Sequence, residues 1–421
     1  MLIDEEAIGL AIEILDEMWF YEEAHRKIYR TILGLYNHSK NVDLITLSDK
    51  LKSDGQLESV GGVTYLSSII DFVPTSANVE HYAHIVKEKG ILRKLIKNST
   101  QIINESFEAQ GNIDQVVDDA ERLIFEVADL KQKNPSVHIK ELVKQSIETI
   151  DQLYQRKEHI TGIATGFTEF DKMTSGLQKS DLVIIAGRPS MGKSALAVSI
   201  GEWAAINGKT GVGFFSLEMS KEQLVQRMLC SQARVDAHKV RSGFLSPSDW
   251  PKLTAAAGRL SEAKIFIDDT PAISVLELRA KARRLKANHD IQLIILDYLQ
   301  LMRSTAKSDS RQQEISEISR SIKALARELN IPVIALSQLS RAVESRQDHK
   351  PQLSDLRESG AIEQDADLVI LLMREEYYNA TEENKGVADV HIAKQRNGPV
   401  GTVKLTFIKE YMRFENLAHV G

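Results

Sequence analysis

Cysteine is almost absent from this chain: Cys230 is the only one in 421 residues. That excludes an internal disulfide and any cysteine-based zinc site, and it suits a reducing compartment. Long apolar runs are missing too, since no segment approaches the ~20 residues that span a bilayer. Asp4, Glu5 and Glu6 occupy the region where a secretory signal would carry positive charge, so the cytoplasm is the expected location and no membrane partner is expected. The eleven histidines show no ligand spacing. A strong charge of either sign is also lacking, because the net charge is only −6. Residues 1–137 hold 14 Lys+Arg against 23 Asp+Glu, and residues 138–421 hold 39 against 36, so the acidity belongs to the front. The mildly basic rear permits a nucleic-acid role without arguing for one.

What is present begins with a helical front. Apolar residues recur at three- and four-residue spacing in Ile28, Ile32, Leu35 and Tyr36, and again in Ile91, Leu92, Leu95, Ile96, Ile102 and Ile103. The stretch from Gly90 to Leu130 divides at Gly111-Asn112, which predicts a hairpin of two antiparallel helices. A small all-α interaction domain over residues 1–130 follows. KQKNPSV, Lys131 to Val137, is polar and contains proline, and is the best linker candidate. Beyond it Ile139, Leu142, Val143, Ile147, Ile150 and Leu153 fall on one helical face. That helix, in a linker segment over 131–160, either packs on its own domain or docks on a neighbouring subunit.

From residue 161 to 421 short apolar runs alternate with amphipathic helices, the pattern of an α/β domain with a mainly parallel sheet. The strand candidates start at Val183, Val212, Ile265, Leu293, Val333 and Leu368. A last group at Val390, Thr402 and Arg413 reads as an antiparallel meander on one edge. GRPSMGKS, Gly187 to Ser194, lies between the first of these strands and the helix ALAVSIGEWAAI. It matches the phosphate-loop pattern in the context that pattern requires. Backbone N–H groups from Ser190, Gly192, Lys193, Ser194 and Ala195 are candidates to close around phosphates, Lys193 to reach the β/γ-phosphates, and the Ser194 hydroxyl to ligate Mg²⁺. ATP and Mg²⁺ are therefore the expected cofactors.

LIILDY ends in Asp297, the candidate Walker-B carboxylate near Mg²⁺. Tyr298 follows it where many ATPases have the water-activating acid, so the base must come from another strand. Glu218, ending VGFFSLE, is the candidate; otherwise it is an acid at a helix N-terminus. Gln338, ending VIALSQ, either senses the γ-phosphate or caps a strand. Lys394 and Arg396 in AKQRNG share one strand face. They meet either their own nucleotide or, as a finger in trans, a neighbour's. The cluster Arg279, Lys281, Arg283, Arg284 and Lys286 reads better as a solvated helix face than as a DNA patch.

GRPSMGKS, FFSLEMS, LIILDYLQLM, VIALSQLSR, DLRESGAIEQDAD and AKQRNGPVG, in that order, with VPTSANVEHYAHIV in the front domain, resemble the bacterial DnaB-family replicative DNA helicases over nearly the whole chain. The resemblance implies a RecA-like core in a homohexameric ring that moves 5′ to 3′ on single-stranded DNA, with a primase and a helicase loader as partners. It implies that Glu218 is the catalytic base, that Gln338 couples nucleotide to DNA, that Lys394 and Arg396 enter the next subunit's site, and that Arg227 lies by the nucleotide base. Arg357, Glu358 and Gly360 would form the DNA-contacting loop, gripping phosphates partly through backbone N–H groups. Family members open with a further Ala- and Glu-rich helix before the segment that here begins MLIDEEAIGLAIEIL, so a weakened collar is expected. The alternatives are a recombinase filament, a ring using ATP as an assembly switch or in a clock-like kinase cycle, and an inactive module that poisons rings.

Overall fold

The computed structural model describes the chain except residues 39, 74, 110–112, 131–138, 157–159, 304–309 and 418–421. The linker candidate and the hairpin turn at Gly111-Asn112 thus lie outside the described residues. The chain divides into two compact units, Met1–Ser146 and Ile147–Gly421.

The first unit is helical. It holds α1 (Glu6–Ile14), α2 (Glu23–Asn37), α3 (Leu44–Ser53), α4 (Gly62–Phe72), α5 (Val79–Glu108) and α6 (Ile113–Leu130), and α7 (Ile139–Arg156) starts within it. Asp43 caps α3 in a capping box with Thr46, which satisfies N–H groups the first turn leaves open. Ile8, Ile28, Ile32, Leu47, Leu51 and Leu66 form the centre of its core. The expected hairpin is α5 with α6, tied where buried Asn98 donates to the Leu123 carbonyl at 2.6 Å. Its first helix begins at Val79, with Gly90 in the interior. The missing side chain there has a packing reason: a Cβ would stand 2.5 Å from the Trp19 ring.

The second unit is built on a nine-stranded sheet of β1 (Leu182–Gly187), β2 (Gly211–Ser216), β3 (Ile265–Asp268), β4 (Ile291–Asp297), β5 (Val333–Gln338), β6 (Leu368–Met373), β7 (Val387–Gln395), β8 (Gly401–Ile408) and β9 (Arg413–Asn416), in the order β3-β2-β4-β5-β1-β6-β7-β8-β9. The first six strands are parallel and the last three run antiparallel from β6. The helices are α8 (Thr168–Thr174), α9 (Lys193–Ile206), α10 (Lys221–Ala233), α11 (Ala237–Ser242), α12 (Asp249–Glu262), α13 (Val275–His289), α14 (Arg311–Leu329) and α15 (Gly360–Asp365).

Both faces of the sheet are covered, which is why β1, β2 and β6 are buried at every residue. Alternate residues of β1 serve two cores: Val183 and Ile185 pack with α9, and Leu182, Ile184 and Ala186 pack with α14. The basic cluster on α13 is held in ion pairs. Arg279 and Arg283 meet Glu328, Lys281 meets Asp268 and Glu277, and Lys286 meets Asp290.

Candidate nucleotide site

Parallel pairing brings the chemistry to one end of the sheet. Gly187, which ends β1, pairs with Gln338, which ends β5, and Ser216 of β2 pairs with Asp297 of β4. The loop Gly187–Ser194 therefore opens at the level of Asp297 and Gln338, outside the carboxyl ends of the strands, where open α/β sheets bind ligands. Glu218 follows β2 by two residues, and the intervening Leu217 N–H donates to the Asp297 carbonyl at 2.7 Å.

The loop needs an unusual backbone. Ser190 has φ +66 and Gly192 has φ +99, and a Cβ on Gly192 would come 3.1 Å from the Phe414 ring. Its apex is held from the residue after β6: Arg374, buried and stacked 4.3 Å over the Phe407 ring, donates to the Ser190 carbonyl at 3.2 Å. Ala195 is buried in the first turn of α9. Lys193 donates through Nζ to the Arg188 carbonyl at 3.1 Å.

Ser194, Glu218 and Arg227 line one cleft of about 810 Å³, joined there by the turn Lys409–Met412 between β8 and β9. Burial and the like charge of Glu218 push the Asp297 carboxyl up, while a hydrogen bond from Ser194 and the charges of Lys193 and Arg227 oppose the shift. Burial likewise disfavours the charged forms of Lys193 and Arg227, and Asp297 and Glu218 work against it. Two cations and two carboxylates are thus held within mutual reach, with burial penalising the charge of Lys193, Arg227 and Asp297. A polyanion beside Lys193 and Arg227 would stabilise both cations. The Ser194 hydroxyl and the Asp297 carboxylate supply oxygen only, a donor set that fits a hard divalent cation such as Mg²⁺.

Gln338 is exposed at the tip of β5, and its N–H meets Gln300 Oε1 at 3.4 Å. Gln300 also donates to the Ser337 hydroxyl at 2.9 Å, which bridges the tips of β4 and β5. Sequence reasoning missed Gln300, Arg374, Arg188 and the Lys409–Met412 turn. Only Arg188 carried a signal, as a charged residue inside the phosphate-loop octet. The other contacts arise where distant segments meet.

Lys394 and Arg396 fall elsewhere. Gln395 pairs with Leu368 at the start of β6, the end of the sheet away from the phosphate loop. Both cations donate to the Gln364 carbonyl, Lys394 at 3.3 Å and Arg396 at 3.0 Å, and Arg396 also meets Asp367 at 3.5 Å. Arg357 and Glu358 belong to the 3-10 turn Leu353–Ser359, and their side chains lie outside the described residues; Gly360 opens α15.

The family model for the DnaB-like helicase C terminal domain matches residues 162–416, and that for the N terminal domain matches residues 1–88. The chain belongs to the DnaB-like replicative DNA helicases. With that family it belongs to the ATP-dependent enzymes, and its second unit is a nucleotide-binding ATPase domain. It is 52% identical over 418 residues to the replicative DNA helicase DnaB of Geobacillus stearothermophilus, covering 99% of this chain and 92% of the relative. It is 50% identical to the replicative DNA helicase DnaC of Bacillus subtilis (strain 168), with the same coverage. Among solved structures, a DnaB-like replicative helicase described with its interactions with primase aligns at TM-score 0.76 and 35% identity, covering 98% of this chain and all of that one. A second solved structure, an isolated ATPase domain, aligns at TM-score 0.64 and 44% identity, covering 68% of this chain and all of that one. The sequence expectation of a RecA-like core with a mainly parallel sheet and an antiparallel edge agrees with the DnaB-like fold. Among the described residues no helix is long and apolar enough to cross a membrane.

Proposed function

We propose that six copies of this chain form a ring that hydrolyses ATP, moves 5′ to 3′ on single-stranded DNA and separates the duplex at the replication fork. The observation that carries this reading is the separation of the site's parts. The phosphate loop, Asp297 and Glu218 gather at one end of the sheet, and Lys394 and Arg396 stand at the other. A finger that cannot reach its own nucleotide serves a neighbour's, and this requires a closed or helical array of subunits. Direction, copy number and the fork follow from the family resemblance.

In this mechanism backbone N–H groups from Ser190 to Ala195 and the Lys193 ammonium hold the phosphates, and Arg227 lies by the base. Ser194 and Asp297 would hold Mg²⁺, which would supply positive charge to offset that of the phosphates. Glu218, exposed at the cleft, orients a water and takes its proton. Arg396 and Lys394 of the adjacent subunit stabilise the charge spreading over the transferred phosphoryl group. Gln338 reports the γ-phosphate to the segment Arg357–Gly360, whose contact with DNA is mostly to phosphate.

The apolar stripe of α7 supports docking on a neighbour, because Ile139, Ile147 and Ile150 are each at least 60% exposed within the chain. We assign residues 1–130 as the collar domain, 131–160 as the linker with its docking helix and 161–421 as the motor. A primase partner is supported by the DnaB-like helicase described with one, and a loader by family resemblance. The single cysteine, Cys230, supports a cytoplasmic location.

The test combines particle imaging in an ATP analogue and oligonucleotide with ATPase assays. Rings whose turnover rises on adding single-stranded DNA are expected, with binding indifferent to base sequence and falling steeply with salt. Open filaments, or turnover that ignores DNA, would point to the recombinase or assembly-switch alternatives.

A further inference from the structure

Beyond the phosphates themselves, the loop Gly187–Ser194 is bonded to the segment that leads towards Arg357. Arg188 is buried, and its guanidinium donates through Nη1 to the Leu339 carbonyl at 2.8 Å and through Nε and Nη2 to Glu344 Oε1 at 2.9 and 2.6 Å. The Leu339 N–H returns a bond to the Gly187 carbonyl at 3.4 Å. Glu344 lies on the 3-10 turn Arg341–Ser345, which is seated by buried Val343. One residue before that turn, the Ser340 N–H donates to the Asp355 carbonyl at 3.0 Å. One residue after it, Arg346 grips both Asp355 carboxylate oxygens, at 2.6 and 2.5 Å. Asp355 is buried and precedes Arg357 by two positions in the turn Leu353–Ser359.

These bonds form one path with charged hydrogen bonds at both ends. It begins at Lys193, whose ammonium holds the carbonyl of Arg188 itself. A β/γ-phosphate draws the same ammonium, so nucleotide binding pulls on the group that holds the Arg188 carbonyl. A buried guanidinium is costly unless its partners are in place. A change at the Arg188 peptide is therefore transmitted to Glu344 and Leu339 rather than absorbed by solvent.

We propose that Arg188 is a positioning residue that, through Glu344, carries the state of the phosphate loop to the Leu353–Gly360 segment, separately from Gln338. The proposal rests on the reading of that segment as the DNA contact. It assigns a job to a loop residue that the phosphate-binding pattern leaves free, and it makes Glu344, outside the cleft and half-exposed, the accessible handle on it.

The experiment uses the full chain with Glu344→Gln and Glu344→Asp. Glu344→Gln removes the charge that neutralises Arg188 while keeping an acceptor, and Glu344→Asp restores the charge on a shorter arm. The readout is the ratio of single-stranded DNA affinity in ATP analogue to that in ADP, together with turnover with and without DNA. Glu344→Gln should keep DNA-free turnover and the KM for ATP within about twofold of wild type. It should cut the affinity ratio and the DNA stimulation by about fivefold or more, the lower range of measured allosteric couplings. Glu344→Asp should recover part of both. An unchanged affinity ratio in Glu344→Gln overturns the proposal. So does an equal fall in turnover with and without DNA, which marks a local packing defect. If wild type itself binds DNA equally in both nucleotides, the motor reading fails instead, and that outcome is visible before any variant is made.

Discussion

Arg396 and Lys193 stand at opposite ends of one sheet. Gln395 lies level with Val183 through their common neighbour Leu368, and β1 runs on from there to Gly187 before the loop that carries Lys193. At ~3.3 Å per residue the offset along the strands is on the order of 15 Å, before the lateral step across β6 is added. Within one subunit Arg396 instead bonds to the Gln364 carbonyl and Asp367. These contacts hold the pair beside the start of β6, at the end of the sheet away from the phosphate loop.

Arg396→Ala should bind ATP and lose on the order of 10³-fold or more in turnover. Mixed rings sharpen the test. A Lys193→Ala subunit has an intact finger and an Arg396→Ala subunit an intact site, so rings shown by a tag to contain both should regain ATPase activity. No gain above the sum of the two mutants means that Arg396 acts within its own subunit.

Glu218→Gln should keep nucleotide affinity and lose about 10²–10⁴-fold in turnover, because the amide fits the cleft but cannot accept the water's proton. Lys193→Ala should weaken binding itself. Titration of a fluorescent ATP analogue alongside steady-state hydrolysis separates the two effects, and near-normal hydrolysis by Glu218→Gln would remove it from the role of base.

Gly192→Ala tests the loop's backbone. The position has φ +99 and the new methyl group would press on Phe414. Left-handed strain of ~1–2 kcal/mol corresponds to roughly a tenfold loss of ATP affinity. The melting temperature of the unliganded chain should move little, since either the loop or the aromatic pair gives way. Unchanged affinity would show that the ring of Phe414 yields freely.

Glu202 predicts a pH dependence of stability. It lies on α9, buried, accepting from the Ser231 hydroxyl at 2.9 Å and the Gln232 amide at 2.8 Å, and burial pushes its carboxyl up to about 7 despite these bonds and the charge of Arg413. A raised carboxyl binds its proton more tightly in the folded chain, so the contribution is fully present below the ordinary value of 4.5 and is lost as pH rises to about 7. Glu202→Gln should remove that loss and gain on the order of 2–3 kcal/mol relative to wild type at pH 8, with no gain at pH 4. Urea unfolding of wild type and Glu202→Gln, followed by tryptophan fluorescence with Trp19 and Trp250 replaced by Phe in both so that only Trp203 reports, measures it, and parallel pH profiles for the two proteins would refute the assignment.

Local chemistry made much of this molecule legible in advance. Gly187–Ser194 between an apolar run and an amphipathic helix identifies itself, because the loop's requirements are met by consecutive residues. The strands of the second unit announce themselves as short apolar runs, since a sheet covered on both faces has no polar side to break them. The α5–α6 pair is readable from its periodicity, although Gly90 suggested a boundary where tight packing against Trp19 was the reason. Asp297 and Glu218 could be placed from sequence at the tips of strands expected to lie side by side, but the register that sets Ser216 opposite Asp297 could not. That follows from β2 pairing with β4, a contact between segments far apart in the chain. The same is true of Arg374 holding the loop through Ser190, of Gln300 bridging two strand tips, of the Lys409–Met412 turn closing the cleft, and of the path from Arg188 to Asp355. Sequence determined which residues could do chemistry, because that depends on side-chain type and near neighbours. Tertiary structure alone decided which of them meet and which end of the sheet Arg396 occupies, because strand order and register are set by the packing of the whole core.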